Sequence, residues 1–492
     1  MMLIKEKITM SPQNSKVFIS TAIAYANGAP HIGHAFEFAL TDTLARYLKH
    51  MYGESAVFFT TGMDEHGQKI EEKSRKTNTP VETLVEIYSD TFKDLDAKMS
   101  VQYDFFVRTS DKEKHYKGAQ YLWAKLMERG DLVKRSYTAL YCVGCEGFKK
   151  ESDLNERGEC PDHLKAPEQV EEENYFFTLS KYTKDIQTKI QNDELKIVPE
   201  VRKNEILALL DRGLEDVSFS RPKSKVSWGI PVPNDDSQVM YVWCDALSNY
   251  ITALGYGTET FASEYWNNAV HVIGKDILRF HAAIWPGMLL SANLPLPKTI
   301  LVHGHITSGG HKMSKSLGNV IDPQDVMSRL EKACGNLAGE ALRFILLYKI
   351  PSFEDGDLTN GSIDEVYTAH LANGVGNLTS RVMKMATTHS AVFSPYDYVY
   401  TDEHLVHYDV NKALLALCSK IAVLDKKIND EQAFKVVKED KVRGVALIEG
   451  YLKDLYVISI ELAFFMPKTA SVVNECVRLV KMPEKALFGR LS

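Results

Sequence analysis

The chain has 492 residues, of which 45% are hydrophobic and 25% charged. That length suits about three domains of ~150 residues, and the composition excludes a mainly disordered chain, a collagen and a small disulfide scaffold. Fifty-eight basic against 65 acidic side chains give a net charge of −7, which excludes a general nucleic-acid coat but leaves room for a local basic patch. No run reaches the ~18 apolar residues of a membrane span. The opening MMLIKEKITMSPQNSK has lysines but no apolar core, so it is no secretory signal. Seven cysteines, an odd number, point to a reducing compartment. A cytoplasmic protein without membrane contact is expected.

Val17-Phe18-Ile19-Ser20-Thr21 reads as a buried strand, and Asn27-Gly28-Ala29-Pro30 as a turn. Ile32, Phe36, Leu40, Leu44, Tyr47 and Leu48 then recur at helical spacing. Ala56–Thr60 is a second apolar strand. Strand, turn, helix, strand is a βαβ unit and predicts a doubly wound parallel sheet. Between residues 118 and 227 the pattern breaks, with three cysteines and Glu171-Glu172-Glu173, and reads as an inserted module. Strands are expected again at Val239–Trp243, Val270–Ile273 and Thr299–His303. Pro351–Asp357 has linker-like composition. Amphipathic patterns over 365–390, 410–428, 430–467 and 471–480 predict a helical bundle, with 482–488 folding back on it.

Two motifs carry chemistry. Pro30-His31-Ile32-Gly33-His34 lies where a strand turns into a helix. Free backbone N–H groups and the helix dipole suit phosphate there, and two imidazoles three residues apart share a face. Gly309-Gly310-His311-Lys312-Met313-Ser314-Lys315-Ser316-Leu317-Gly318-Asn319 puts two lysines on a glycine-flanked loop. Such lysines can close over a triphosphate and neutralise charge developing in a transition state. The chain contains no Walker A loop.

His31-Ile32-Gly33-His34 followed by Lys312-Met313-Ser314-Lys315-Ser316, in one α/β domain with an insertion between them, resembles the signature pair of class I aminoacyl-tRNA synthetases. From about Val17 onward the chain resembles the methionyl-tRNA synthetase family. Thr21–Gly28, Thr61–Gly67, Tyr241–Tyr250 and His271–His281 carry that resemblance. It implies ATP-dependent ligation of L-methionine to tRNA(Met) through a methionyl-adenylate, with Mg²⁺ accompanying ATP. It implies that His31 and His34 steady the phosphates, and that Lys312 and Lys315 stabilise developing charge. Gly33, Gly274, Asp276, His303 and Ser314 complete the implied ATP site. Ala22, Ile23, Tyr25, Trp243, Ala246, Leu247, Tyr250, Ile277 and His281 are the implied methionine pocket, with Asp64 on the substrate ammonium. Aromatic walls suit a thioether. The larger editing insertion of the valine, isoleucine and leucine enzymes does not fit the inserted module. Homocysteine is expected to be activated, because a methylene is worth only ~1–3 kcal/mol, and to be removed by cyclisation.

Cys142-x2-Cys145 and Cys160-x2-His163, separated by 14 residues, have zinc-knuckle spacing and predict one structural Zn²⁺ per chain. The domains implied are a catalytic first half over 1–117, a connective insertion over 118–227 and a second catalytic half over 228–325. A stem-contact region over 326–364 and an anticodon-binding helical bundle over 365–492 complete them. Asn377 and Arg381, one turn apart, match the family's first anticodon segment. The family's Ala-Pro-Trp, whose Trp stacks on an anticodon base, is replaced by Ala433-Phe434-Lys435; Phe434 or the Lys435 stem is expected to substitute. Cys244 stands where the family has Phe and is expected beside the pocket, out of contact with substrate. With no appended domain after the bundle, a monomer is expected. Two rivals share the fold: a nucleotidyltransferase that uses no tRNA, and a non-catalytic tRNA-binding paralogue.

Overall fold

The structure, a computed structural model, describes residues 16–145, 147–313 and 319–491. Its centre is a seven-stranded parallel sheet. The strands are Val17–Thr21 (β1), Ala24–Tyr25 (β2), Val57–Asp64 (β3), Phe105–Arg108 (β4), Lys196–Val198 (β5), Val270–Gly274 (β6) and Thr299–His303 (β7). Across the sheet they run β4-β3-β1-β6-β7-β5, and β2 continues the line of β1 along β3. Ile19 pairs with Phe59 on one side and Val270 on the other. Every residue of β1, β6 and β7 is buried, as strands covered on both faces must be. From β1 the chain builds outward to β3 and β4, and then returns to place β6 and β7 on the opposite side. This reversal is a topological switch point. Open α/β sheets bind ligands in the crevice outside the strand carboxyl ends at such a point.

Three helices frame that crevice. Ile32–Tyr52 (α1) follows β2, buries Ile32, Ala35, Phe36, Ala39, Leu40 and Leu44 on the sheet, and stops at Gly53, whose φ is 101°. His115–Glu128 (α2) packs against Val242–Thr252 (α3). The strand expected through Trp243 ends instead at Met240. Asp235–Met240 is antiparallel to Ser220–Pro222 and Pro231–Val232 in a small separate sheet. An apolar run this short does not distinguish a strand from the buried start of a helix, and here it spans the junction of the two.

Residues 132–177 and 217–218 form a four-stranded antiparallel sheet. Its longest ladder pairs Leu132–Tyr141 with Glu168–Phe177. From within the same stretch β5 returns to the parallel sheet, with Lys196 opposite Thr299 and Val198 opposite Leu301. Ile186, Ile190, Ile206 and Leu210 from the flanking helices pack there, in one cluster with Ile300 and Val302 of β7.

The linker-like Pro351–Asp357 is docked, not free. Gly356–Asp357 pairs parallel with Ile306–Ser308, and Asp355 accepts from His305 N at 2.9 Å and meets Lys275 Nζ at 2.7 Å. Ala338–Lys349 (α4) carries the core of the parallel domain into a bundle of Asn377–Thr388 (α5), Val410–Glu431 (α6), Ala433–Glu439 (α7), Lys441–Leu462 (α8) and Pro467–Leu479 (α9). The single pattern expected over 430–467 is split. Gln432, at φ 45°, ends α6, and the Asp440 carboxylate caps α8 at Arg443 N. Leu487 and Phe488 are buried as the chain folds back, and Tyr367 donates to Gly489 O at 3.0 Å. Among the described residues no helix is long and apolar enough to cross a membrane.

Candidate active site

At the switch point His31 is the N-cap of α1. Its Nδ1 accepts from Gly33 N at 3.1 Å, and His34 Nδ1 accepts from His31 N at 3.2 Å. Each ring thus uses Nδ1 as an acceptor, which puts the proton of the neutral form on Nε2. The rings stack at 3.7 Å. Burial lowers the His31 pKa; burial, with the neighbouring His31, lowers that of His34 further. The result is two neutral N–H donors beside a helix N-terminus, an arrangement fit for phosphate oxygens. A Cβ at Gly33 would lie 2.9 Å from His31 Cε1, so a side chain there displaces the ring.

Glu37, one turn into α1, joins two strand ends. Its Oε1 accepts from Ala22 N at 2.8 Å, and its Oε2 meets His303 Nε2 at 2.9 Å. His303 Nδ1 lies 2.8 Å from Gly304 O. Both nitrogens of His303 therefore face acceptors. Burial disfavours the imidazolium, but Glu37 and the Gly304 carbonyl outweigh it and the pKa is raised. Gly274 ends β6 beside them; a Cβ there would lie 2.7 Å from Asp276 Oδ1 and 3.7 Å from His303 Cε1. His305 stands 3.5 Å from Asp276 Oδ1 and helps hold that carboxyl below its ordinary value.

A cluster of aromatic and apolar side chains on α3 and the segment after β6 includes the residues expected to hold methionine. Trp243, Ala246, Leu247 and Tyr250 share one face of α3. The Trp243 ring stacks on Phe280 at 3.6 Å and stands edge-on to His281 at 6.4 Å. Tyr250 OH lies 2.6 Å from His281 Nε2, and His281 Nδ1 lies 3.0 Å from Ile277 O. The carbonyl requires a donor at Nδ1, so Nε2 accepts from the tyrosine. Burial pushes the His281 pKa down to about 4, keeping the ring neutral. Ile23 and Tyr25 lie on the β1–β2 edge, with Tyr25 opposite Asp64 in the ladder. Asp64 closes β3, and its carboxylate accepts from His66 N at 3.5 Å. Cys244 is buried on α3.

The second motif begins as a hairpin, Ile306–Ser308 against His311–Lys312, with Lys312 opposite Thr307. Gly309 and Gly310 turn it at φ 62° and 75°, and Gly310 N donates to Asp357 Oδ1 at 2.8 Å. Ser314 and Lys315 lie outside the described residues.

The four knuckle residues converge. One ligand atom from each of Cys142, Cys145, Cys160 and His163 lies within 4.8 Å of all the others. Cys145 Sγ is 3.5 Å from Cys160 Sγ and 3.4 Å from His163 Nδ1; Cys160 and Cys142 Sγ lie 3.7 and 3.9 Å from that nitrogen. Zinc bonds of ~2.0–2.3 Å imply tetrahedral edges of ~3.4–3.8 Å, so the donor set fits. A Cβ at Gly144 would fall 2.4 Å from the His163 ring; only glycine leaves room for that ligand. The cluster is compatible with a structural zinc.

The family model "tRNA synthetases class I (M)" matches residues 17–169 and 163–383. The methionine–tRNA ligase of Helicobacter pylori is 39% identical over 479 residues, 92% of this chain and 72% of that protein. That of Rhizobium meliloti is 35% identical over 486 residues, 94% and 92%. The solved Mycobacterium tuberculosis methionyl-tRNA synthetase in complex with methionyl-adenylate superposes with a TM-score of 0.86 at 31% identity, covering 97% of both chains. This chain belongs to the methionyl-tRNA synthetase family.

The residues expected at the anticodon lie on α5 and α7. Asn377 is exposed at the start of α5. Arg381 is engaged: its guanidinium pairs with Asp425 and donates to Asn429 Oδ1 at 2.8 Å, both on α6. Phe434, 46% exposed, lies in the first turn of α7, a few residues beyond Asn429, with Lys435 Nζ 5.8 Å from its ring centre. The sequence reading missed Glu37, His66, Asp245, Phe280 and Arg221. Arg221 reaches Tyr241 at 4.2 Å from a strand outside the parallel sheet, and no spacing announced it. Asp245, an acid inside the apolar run Tyr241–Leu247, was a legible signal of a buried partner.

Proposed function

We propose that this chain activates L-methionine with ATP and transfers it to tRNA(Met). The observation that carries this reading is a phosphate-fitted helix N-terminus at the switch point, with the aromatic cluster of Trp243, Tyr250, Phe280 and His281 in the same domain, in a fold shared over 97% of its length with a synthetase solved with methionyl-adenylate. The methionine carboxylate attacks the α-phosphorus of ATP in line, and pyrophosphate leaves. His31 and His34 donate from Nε2 to the phosphates. Gly274 and Asp276 take the ribose, with His303 beside them. Lys312, Ser314 and Lys315 close over the leaving group, and Mg²⁺ arrives with the ATP. Asp64 pairs with the substrate ammonium. Ala22, Ile23, Tyr25, Trp243, Ala246, Leu247, Tyr250, Ile277 and His281 enclose the side chain. The protein supplies position and charge and forms no covalent bond. The terminal ribose hydroxyl of the tRNA then attacks the adenylate.

Cys142, Cys145, Cys160 and His163 hold a zinc ion that shapes the insertion and leaves no coordination position open for chemistry. Asn377, Arg381 and Phe434 meet the anticodon. The protein works as a cytoplasmic monomer, which light scattering of the purified chain tests. ATP–pyrophosphate exchange across twenty amino acids and homocysteine tests the first step. Methionine should drive the fastest exchange, with homocysteine slower. Exchange driven by another amino acid would overturn the pocket assignment; none at all would favour a non-catalytic paralogue.

A further inference from the structure

Beneath the amino-acid pocket lies a buried polar cluster that the proposed chemistry does not use. Asp245 is fully buried, and each of its oxygens holds an imidazole. His66 Nδ1 lies 2.6 Å from Oδ2, and His115 Nε2 lies 2.7 Å from Oδ1. His66 Nε2 continues to Tyr116 OH at 3.0 Å, and His115 Nδ1 to Thr252 Oγ1 at 2.8 Å. Burial alone would raise the Asp245 carboxyl; the charge and hydrogen bonds of the two histidines outweigh it and keep the carboxylate ionised.

The placement is specific. On α3, Trp243, Ala246, Leu247 and Tyr250 follow i, i+3, i+4, i+7 and face the pocket. Asp245, Asn249 and Thr252 follow i, i+4, i+7 on the opposite side. The helix therefore presents apolar wall to the substrate and a carboxylate to the segment behind it. That segment holds Asp64 two residues before His66, and the Asp64 carboxylate rests on His66 N at 3.5 Å. Glu65, between them, is also pinned: its N–H donates to Thr109 Oγ1 at 2.8 Å, its carboxylate takes Arg108 Nε at 2.8 Å and Ser110, and its carbonyl takes the Trp228 indole. In Asp64-Glu65-His66, the Glu65 and His66 side chains both make tethers, and the His66 tether runs to α3.

We infer that Asp245 is a positioning residue: by gripping His66 it aims the Asp64 carboxylate and holds it in register with the pocket wall on α3. This rests on the proposed pairing of Asp64 with the substrate ammonium. A positioned carboxylate discriminates sharply, because a charge-assisted hydrogen bond weakens steeply with misalignment.

The test compares dissociation constants for L-methionine and for 4-(methylsulfanyl)butanoate, which keeps the thioether and carboxylate but lacks the ammonium. Asp245→Asn should weaken methionine about tenfold or more and leave the desamino acid within about twofold, so that the preference for the ammonium collapses. Proportional weakening of both ligands would mean a loosened pocket and overturn the inference, as would no change in either. Should Asp245→Asn fail to fold, His66→Gln carries the test. The longer glutamine side chain cannot place a donor where Nδ1 stood and should lose the preference. His66→Asn can, and should retain it. Equal behaviour of those two variants overturns the inference. Asp64→Asn is the control for the underlying reading. If it loses the preference while Asp245→Asn keeps it, the positioning role alone fails; if it keeps the preference, the pairing of Asp64 fails and the inference with it.

Discussion

A methyl group added at position 144 meets the ring of His163. The Cβ of Gly144→Ala would stand 2.4 Å from both Cγ and Cδ2 of that imidazole and 2.8 Å from Nδ1. Carbon atoms out of bond contact settle near ~3.5 Å, so the ring must withdraw by about 1 Å. Metal–ligand distances tolerate only about ±0.2 Å, so His163 is lost as a ligand while three thiolates stay. Structural zinc contributes ~10–16 kcal/mol over four ligands, or ~2.5–4 kcal/mol each if shared evenly. Zinc retention should therefore weaken about 10²–10³-fold. Gly144 does not lie in the left-handed region, so alanine strains no backbone there and the effect is steric. The assay is competition for zinc with a chromophoric chelator, alongside limited proteolysis over residues 140–165. Methionine-dependent pyrophosphate exchange should survive, since the knuckle lies in the antiparallel sheet and not at the switch point. A Gly144→Ala protein that holds zinc as tightly as its parent would refute the reasoning. So would complete metal removal that left proteolysis, stability and tRNA charging unaltered.

Three further outcomes follow. Phe434→Ala should raise the KM for tRNA(Met) about 10–100-fold, the range expected for losing one stacked base, with pyrophosphate exchange unchanged. If neither it nor Lys435→Ala alters aminoacylation, the stacking role is wrong. Buried Arg343 on α4 joins Asp42 and Thr43 of α1 to the carbonyls of Phe464 and Phe465 after α8. Arg343→Met takes one of two arginines from Asp42, which keeps Arg46 Nε at 2.7 Å and Gln102 N at 2.8 Å, and leaves the two carbonyls without that donor; it should cost ~1–3 kcal/mol in denaturant unfolding, and no measurable loss would contradict the clamp. His281, held by burial at about 4, titrates near ~6.5 when unfolded. Its folded value is the lower one, so its stabilising contribution is complete above pH ~6.5 and is lost as pH falls toward 4. The melting temperature of His281→Gln should decline less than that of the parent between pH 7 and 4.5, and equal slopes would remove His281 from that account.

Local pattern made much of this protein legible. β1, α1, β3, β6 and β7 follow from apolar runs and 3.6-residue periodicity, because those strands are covered on both faces and the helix on one. The knuckle follows from ligand spacing, because a tetrahedral site closed by two short turns demands it. The two signature strings resemble the family to which the chain belongs. Other features were illegible for equally physical reasons. Trp243 sits in an apolar run that serves first a strand and then a helix, so period could not place the junction. Lys196–Val198 is three residues long and joins the parallel sheet only because β7 offers an open edge. The pairing of Arg381 with Asp425 and Asn429 joins residues 44 and 48 positions apart, and only the packing of α6 on α5 reveals it. Asp245, His66 and His115 are scattered through the chain, and nothing in their spacing relates them. The sequence by itself determined the strands and helices that carry a full apolar period and the spacing at which the Cys and His donors of the knuckle converge. Tertiary structure alone decided which buried charges meet: a carboxylate inside a protein is stable only beside its partners, and folding brings those partners from distant parts of the chain.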